Sequence, residues 1–84
     1  MKQEVQEQQM PLTRAPQNSA LKIVDIDGGE RVRQFLGRLG LRIGSNIRIL
    51  QGAPFSGPLL LSHRETHTAV GRGMAQKIIV EVTE

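Results

Sequence analysis

The chain has 84 residues, 11 Lys and Arg against 8 Asp and Glu, a formal net charge of +3, and no cysteine. Such a length supports one small domain with a thin core and little room for an enclosed catalytic pocket. Disulfide frameworks and thiolate metal sites are excluded, and a small domain without such staples is expected in the cytoplasm.

Residues 1–10, MKQEVQEQQM, are rich in Gln and Glu and contain no apolar run of the kind a secretory signal needs. They are expected to form a disordered tail ahead of a domain over residues 11–84. Pro11 and Pro16 bracket a short extended piece whose apolar anchor is Leu12, and Asn18-Ser19 supplies a turn. Residues 20–27, ALKIVDID, read as the first long strand. Leu21 and Ile23 alternate with Lys22, then Val24 and Ile26 break the phase, which predicts a bulge near Val24-Asp25.

One helix follows. Val32, Phe35, Leu36 and Leu39 stand at i, i+3, i+4 and i+7 and predict a single inward stripe. Asp27 and Glu30 have the spacing of a capping box. Gly40 is placed as a left-handed residue just past the helix end, with Leu41 positioned to contact Leu36 as in a Schellman ending. That reading decides what the glycines at 37, 40 and 44 do. A phosphate cradle needs the free N–H groups of a helix start, whereas Gly40 ends one, and no Lys-Ser/Thr pair follows the glycines. Asp27 and Glu30 would repel a phosphate at the other end, so that end reads as a cap. Gly37 has no evident role and costs about 1 kcal/mol of helix propensity.

Gly44-Ser45-Asn46 reads as the turn into a strand over residues 46–50, with Ile47 and Ile49 inward and Arg48 outward. Residues 51–58, QGAPFSGP, form a loop. Residues 59–64 and 67–71 are expected to make a hairpin around Glu65-Thr66, pairing Arg64 with His67 and His63 with Thr68. Residues 77–82 alternate Ile78, Val80 and Val82 with Lys77, Ile79 and Glu81. The fold class is mainly β: a small, strongly bent barrel of about five strands with one short α-helix after the first long strand.

The strand LKIVDI (21–26), the segment RVRQFLGRLGLRIGSNIRIL (31–50), the run APFSGPLLL (53–61), Ala69-Val70, Ala75 and the ending IIVEV (78–82) together resemble the FeoA family, ferrous iron transport protein A. The resemblance covers nearly the whole chain, from about Met10 to Val82. It implies an SH3-like barrel without catalytic residues. It also implies a cytosolic accessory protein that binds the cytosolic part of FeoB, a membrane iron transporter with a GTP-binding domain. A related SH3-like domain ends some metal-dependent repressors, but the DNA-binding helices of those proteins have no counterpart here. Glu65-Thr66 replaces the family's Gly-containing hairpin turn. His63 and Thr68 stand at inward sites usually apolar, and Gly71-Arg72-Gly73 stands where charged helix formers are common.

Candidate sites follow from the residues. His63 and His67 are the only histidines, and strand alternation points them to opposite faces, so no metal site is expected. Ser19, Ser45, Ser56 and Ser62 have no histidine placed to activate them, so neither enzyme activity nor a cofactor is expected. Between Arg31 and Arg48 lie five arginines, at 31, 33, 38, 42 and 48, and no acid. Arg31 and Arg38 fall together on the side opposite the apolar stripe. They form either a solvated face or a docking surface for an acidic patch, with Pro54, Phe55 and Pro58 as its apolar anchor. Phe55 has the alternative of folding over the barrel mouth.

Two rival readings remain. One is a nucleic-acid-binding small barrel, motivated by the isoelectric point of about 10.2, although the absence of Trp and Tyr removes the usual stacking platforms. The other is a domain that senses Fe2+ directly. Sheet edges in so small a barrel are also compatible with a homodimer.

Overall fold

Leu21, Ile23 and Ile26 cannot all lie on one face of a regular strand, because the step from 23 to 26 is odd. In the computed structural model, which describes residues 8–52 and 57–83, all three are buried. The elements in order are β1 (Gln9–Pro11), a 3-10 turn (Leu12–Arg14), β2 (Ala20–Ile26), α1 (Gly29–Arg38), β3 (Asn46–Gly52), β4 (Leu59–His63), β5 (Thr66–Val70), α2 (Arg72–Ala75) and β6 (Ile78–Val82). One antiparallel sheet runs β1-β6-β2-β3-β4-β5. Between Ile23 and Asp25 its register against β6 shifts, which is the expected bulge, and the shift returns Ile26 to the core face. A second shift, between Ile49 and Gln51 against β4, has no counterpart in the sequence pattern. The two irregularities bend the sheet so that Leu21, Ile23, Ile47, Ile49, Leu61 and Val80 meet in one core with no buried polar side chain among the described residues.

The sheet has six strands rather than about five. β1 is the addition: Met10 pairs with Val80 and Pro11 with Ile79, so the sheet begins at Gln9. Three residues carry no readable period, and only the partner strand draws them in. Leu12 is fully buried, as expected of an anchor.

Each end of α1 has a different story. Its start is not the capping box predicted from Asp27 and Glu30. The N-cap residue is Gly28, at φ +109°, and no side chain caps the helix. The Asp27 amide instead donates to the Lys77 carbonyl at 2.7 Å, which extends the β2–β6 pairing by one step and delays the turn into Gly28 and Gly29. Its end follows the sequence closely. Gly40 adopts φ +86°, its amide donates to the Gly37 carbonyl at 3.0 Å, and the Leu41 amide donates to the Leu36 carbonyl at 2.9 Å. These are the two bonds of a Schellman ending, and Leu36 and Leu41 are both fully buried beside it.

The hairpin turn lies one residue earlier than expected. Arg64 and Glu65 form the loop, at φ +53° and +69°, and His63 pairs with Thr66, Ser62 with His67 and Leu61 with Thr68. Without Gly or Asn to mark the turn, register is set by packing, which pairs the buried Leu59 with the buried Val70. Each β4 residue thus pairs two positions earlier on β5 than expected. A shift of two keeps every side chain on its face, so His63 and His67 still point opposite ways.

Two glycines three residues apart in α1 and its exit should respond oppositely to alanine. A Cβ on Gly37 would lie 3.7 Å from the Arg42 guanidinium, an ordinary contact, so Gly37→Ala should raise stability by roughly 0.5–1 kcal/mol through helix propensity. Gly40→Ala should lower it by about 1–2 kcal/mol through the left-handed φ, although space for the methyl exists. Urea midpoints of the two variants check both signs.

Candidate functional site

The surface of α1 divides into sides set by its packing. Leu36 is buried, and Val32 and Leu39 pack partly buried against the core. Phe35, predicted to share that stripe, is 46% exposed and does not. The three aliphatic residues already fill the strip of helix that faces the sheet, and Phe35 falls to its flank. There it stands four residues after Arg31 and three before Arg38, spacings that put all three side chains on adjacent turns. Arg31 and Arg38 are both exposed, within about 20° of one another around the axis and about 10 Å apart along it. The expected pair therefore does share a side, with an aromatic ring beside it that the sequence pattern had assigned to the core.

Arg33 is held differently. Its guanidinium lies 3.8 Å from an Asp25 carboxylate oxygen and donates to the Ile26 carbonyl at 3.4 Å. Both groups are largely solvent-exposed, so the pair orients Arg33 more than it stabilises the fold. Arg48 donates to the Asn18 carbonyl. Among the described residues, the side chains of Arg31, Arg38 and Arg42 make no hydrogen bond or ion pair.

Past the helix, residues 42–45 form a turn with the signature of type II. The Ser45 amide donates to the Arg42 carbonyl at 2.9 Å, and Gly44 takes φ +99° at the third position. Four further bonds fix it. The Arg42 amide donates to Ser45 Oγ at 3.0 Å, and that hydroxyl donates to the Gly40 carbonyl at 3.4 Å. The Gly44 amide donates to the Ile23 carbonyl at 2.7 Å, and the Ile23 amide donates to the Ser45 carbonyl at 2.9 Å. This pinned turn holds Ile43 52% exposed and lays the Arg42 guanidinium over Gly37. Between it and α1 runs a groove of about 630 Å³, with Ile26, Gly37, Leu41 and Ile43 along it and Arg33, Arg38 and Arg42 against the single carboxylate of Glu30.

Of the remaining expected site residues, only Pro58 is described, and it does not join this groove. Pro54 and Phe55 lie outside the described residues. Pro58 is exposed and precedes β4 at Leu59. The opposite end of that strand, His63, is the one that reaches the helix end, where its Cδ2 lies 3.7 Å from a Cβ built on Gly40. Five strand residues separate Pro58 from that point, about 16 Å. His63 Nδ1 sits 2.8 Å from the Asn46 carbonyl oxygen, which can only accept, so Nδ1 carries the proton. Among the described residues no three His, Cys, Asp or Glu side chains are grouped to hold an ion, and no helix is long and apolar enough to cross a membrane.

The residues missed from sequence are Phe35, Gly37, Arg42 and Ile43. Ile43 had one readable signal: it precedes a glycine in a turn, a position that faces solvent. The stacking of Arg42 on Gly37 had none, because it depends on the direction of the chain after Gly40.

A bent antiparallel sheet with one basic helix on its flank defines a small SH3-like domain. The FeoA domain model matches residues 10–82, and the chain belongs to the FeoA family. A Methanocaldococcus jannaschii protein described as Fe(2+) transport protein A is 34% identical over 74 residues, 88% of this chain and 88% of its own length. A crystal structure of FeoA, described as an iron uptake regulatory protein, superposes with a TM-score of 0.80 at 29% identity, over 89% of this chain and 97% of its own. The manganese-activated repressor ScaR also superposes with a TM-score of 0.80, at 24% identity, over 88% of this chain but 35% of its own. That last likeness is one of fold alone.

Two measurements check this surface. Phe35→Ala should change stability by less than about 1 kcal/mol, whereas Leu36→Ala should cost about 2–5 kcal/mol by opening the core. Nitrogen NMR of His63 should find the neutral ring protonated at Nδ1.

Proposed function

We propose that this chain is a cytoplasmic, non-catalytic accessory protein of ferrous iron uptake, which binds the cytosolic region of a FeoB-type GTP-binding membrane transporter. Family membership supports the pathway. The single observation that supports a docking role is the side of α1 where Arg31 and Arg38, without intrachain partners among the described residues, flank the exposed ring of Phe35. Charge on such a surface speeds encounter with an acidic partner, and a desolvated aromatic ring supplies affinity once contact is made. Phe35 takes the anchoring place first assigned to Phe55. Pro58 is a second, separate contact in this proposal, since it lies at the far end of β4 from the helix exit.

Calorimetric titration of the full chain with the transporter's cytosolic region tests the proposal. Binding should weaken as salt rises, and Arg31→Glu with Arg38→Glu should raise Kd by about tenfold or more. An absence of binding at low ionic strength would contradict it.

A further inference from the structure

We propose that the groove between α1 and the 42–45 turn receives an acidic segment of the partner protein, its carboxylates on Arg38 and Arg42 and one apolar side chain seated on Gly37 and Ile43. The inference rests on the docking role above and names the chemistry that the docking surface accepts.

Three observations carry it. The first is charge: three guanidinium groups line the groove against one carboxylate, and those of Arg38 and Arg42 have no intrachain partner among the described residues. Arg33 is already turned to Asp25 and the Ile26 carbonyl, which leaves the other two to face an incoming anion. An acidic segment satisfies them, and a basic or neutral one does not.

The second is Gly37. Alanine would fit there without a clash and would favour the helix, yet the position holds the weakest helix former after proline. Nothing within the fold requires the missing methyl, because Gly37 has no left-handed φ and its nearest neighbour is the far end of a flexible arginine. What the glycine does provide is room. The Arg42 guanidinium rests against it as the far end of a flexible side chain. Once that group swings onto a carboxylate, the helix backbone is left open to close approach by another chain.

The third is rigidity. Ile43 is exposed on a turn fixed by five hydrogen bonds, two of them joining it to Ile23 of β2. An apolar side chain held outward in this way loses little entropy on contact, which favours its use as an anchor.

The test uses the full chain labelled with nitrogen-15 and two probes: the transporter's cytosolic region, and a short synthetic peptide of alternating Glu and Leu with its Lys-Leu counterpart as control. The proposal expects both acidic probes to move the amide signals of Gly37, Leu41, Ile43 and Gly44, with no response to the Lys-Leu peptide. It expects Arg42→Glu and Ile43→Ser to weaken each acidic probe by about tenfold or more. Gly37→Ala should weaken both probes while raising the thermal midpoint, a split that loss of structure cannot produce. If the cytosolic region binds but shifts other amides, and the variants bind within about twofold of the parent, the groove is overturned while the docking role stands. Should the cytosolic region not bind at all, the docking role falls and the peptide decides the groove: a response confined to these amides keeps it, and silence at millimolar peptide removes it. Concentration-dependent shifts of the same amides without any probe would assign the groove to a second copy of this chain and overturn the proposal.

Discussion

Gly40, held at φ +86°, turns the chain out of α1, and the basic side of the molecule depends on that one left-handed residue. A residue with a Cβ pays strain there, and glycine does not. Because the chain reverses at this point, the Leu41 amide returns to the Leu36 carbonyl, and Leu36 and Leu41 enter the core together. The same reversal delivers residues 42–45 to the edge of β2, where Gly44 and Ser45 bond to both backbone groups of Ile23. The helix is therefore tied at its exit to the strand on which it lies. Its orientation, the exposure of Ile43 and the placement of Arg42 over Gly37 all follow from that tie.

The start of the helix has no comparable device. Gly28 and Gly29 both have positive φ, and no side chain caps the first turn. A Cβ at Gly28 would sit 2.8 Å from Val32 Cγ2, so this end is shaped by close approach to the helix's own side chain. Arg33, through Asp25 and the Ile26 carbonyl, is the side chain that reaches from the helix to the end of β2. The exit of α1 is tied by several backbone hydrogen bonds, whereas its start has the one bond from the Asp27 amide to the Lys77 carbonyl and an exposed ion pair, which is the weaker restraint. Movement of α1, where it occurs, should pivot about the Gly40 end.

Most of the fold was legible wherever a residue's role is local. The bulge at Val24 follows from an odd step between Ile23 and Ile26, and the helix end follows from Gly40 and Leu41 standing at fixed offsets from Leu36. The alternation of Ile47 and Ile49 gave β3. What stayed hidden depends on distant partners. β1 exists because β6 accepts it, the hairpin turn is placed by Leu59 meeting Val70, and Asp27 left its capping role because Lys77 claimed its amide. The candidate site was half legible. Charge clustering marked Arg31 and Arg38, but periodicity alone assigned Phe35 to the core, since it cannot tell how much of a stripe a small sheet will cover. No local rule connects Gly37 to Arg42 across a chain reversal.

Hydrogen exchange of the native chain tests the central claim most directly, because it reads the strength of the tie at the helix exit residue by residue. If the reversal at Gly40 anchors the basic surface, the amides of Leu41, Gly44 and Ser45 will exchange as slowly as that of Ile23, through opening of the sheet itself. Exchange of those three at the rate of an exposed loop, with Ile23 still protected, would show that the exit is loose and would contradict the account.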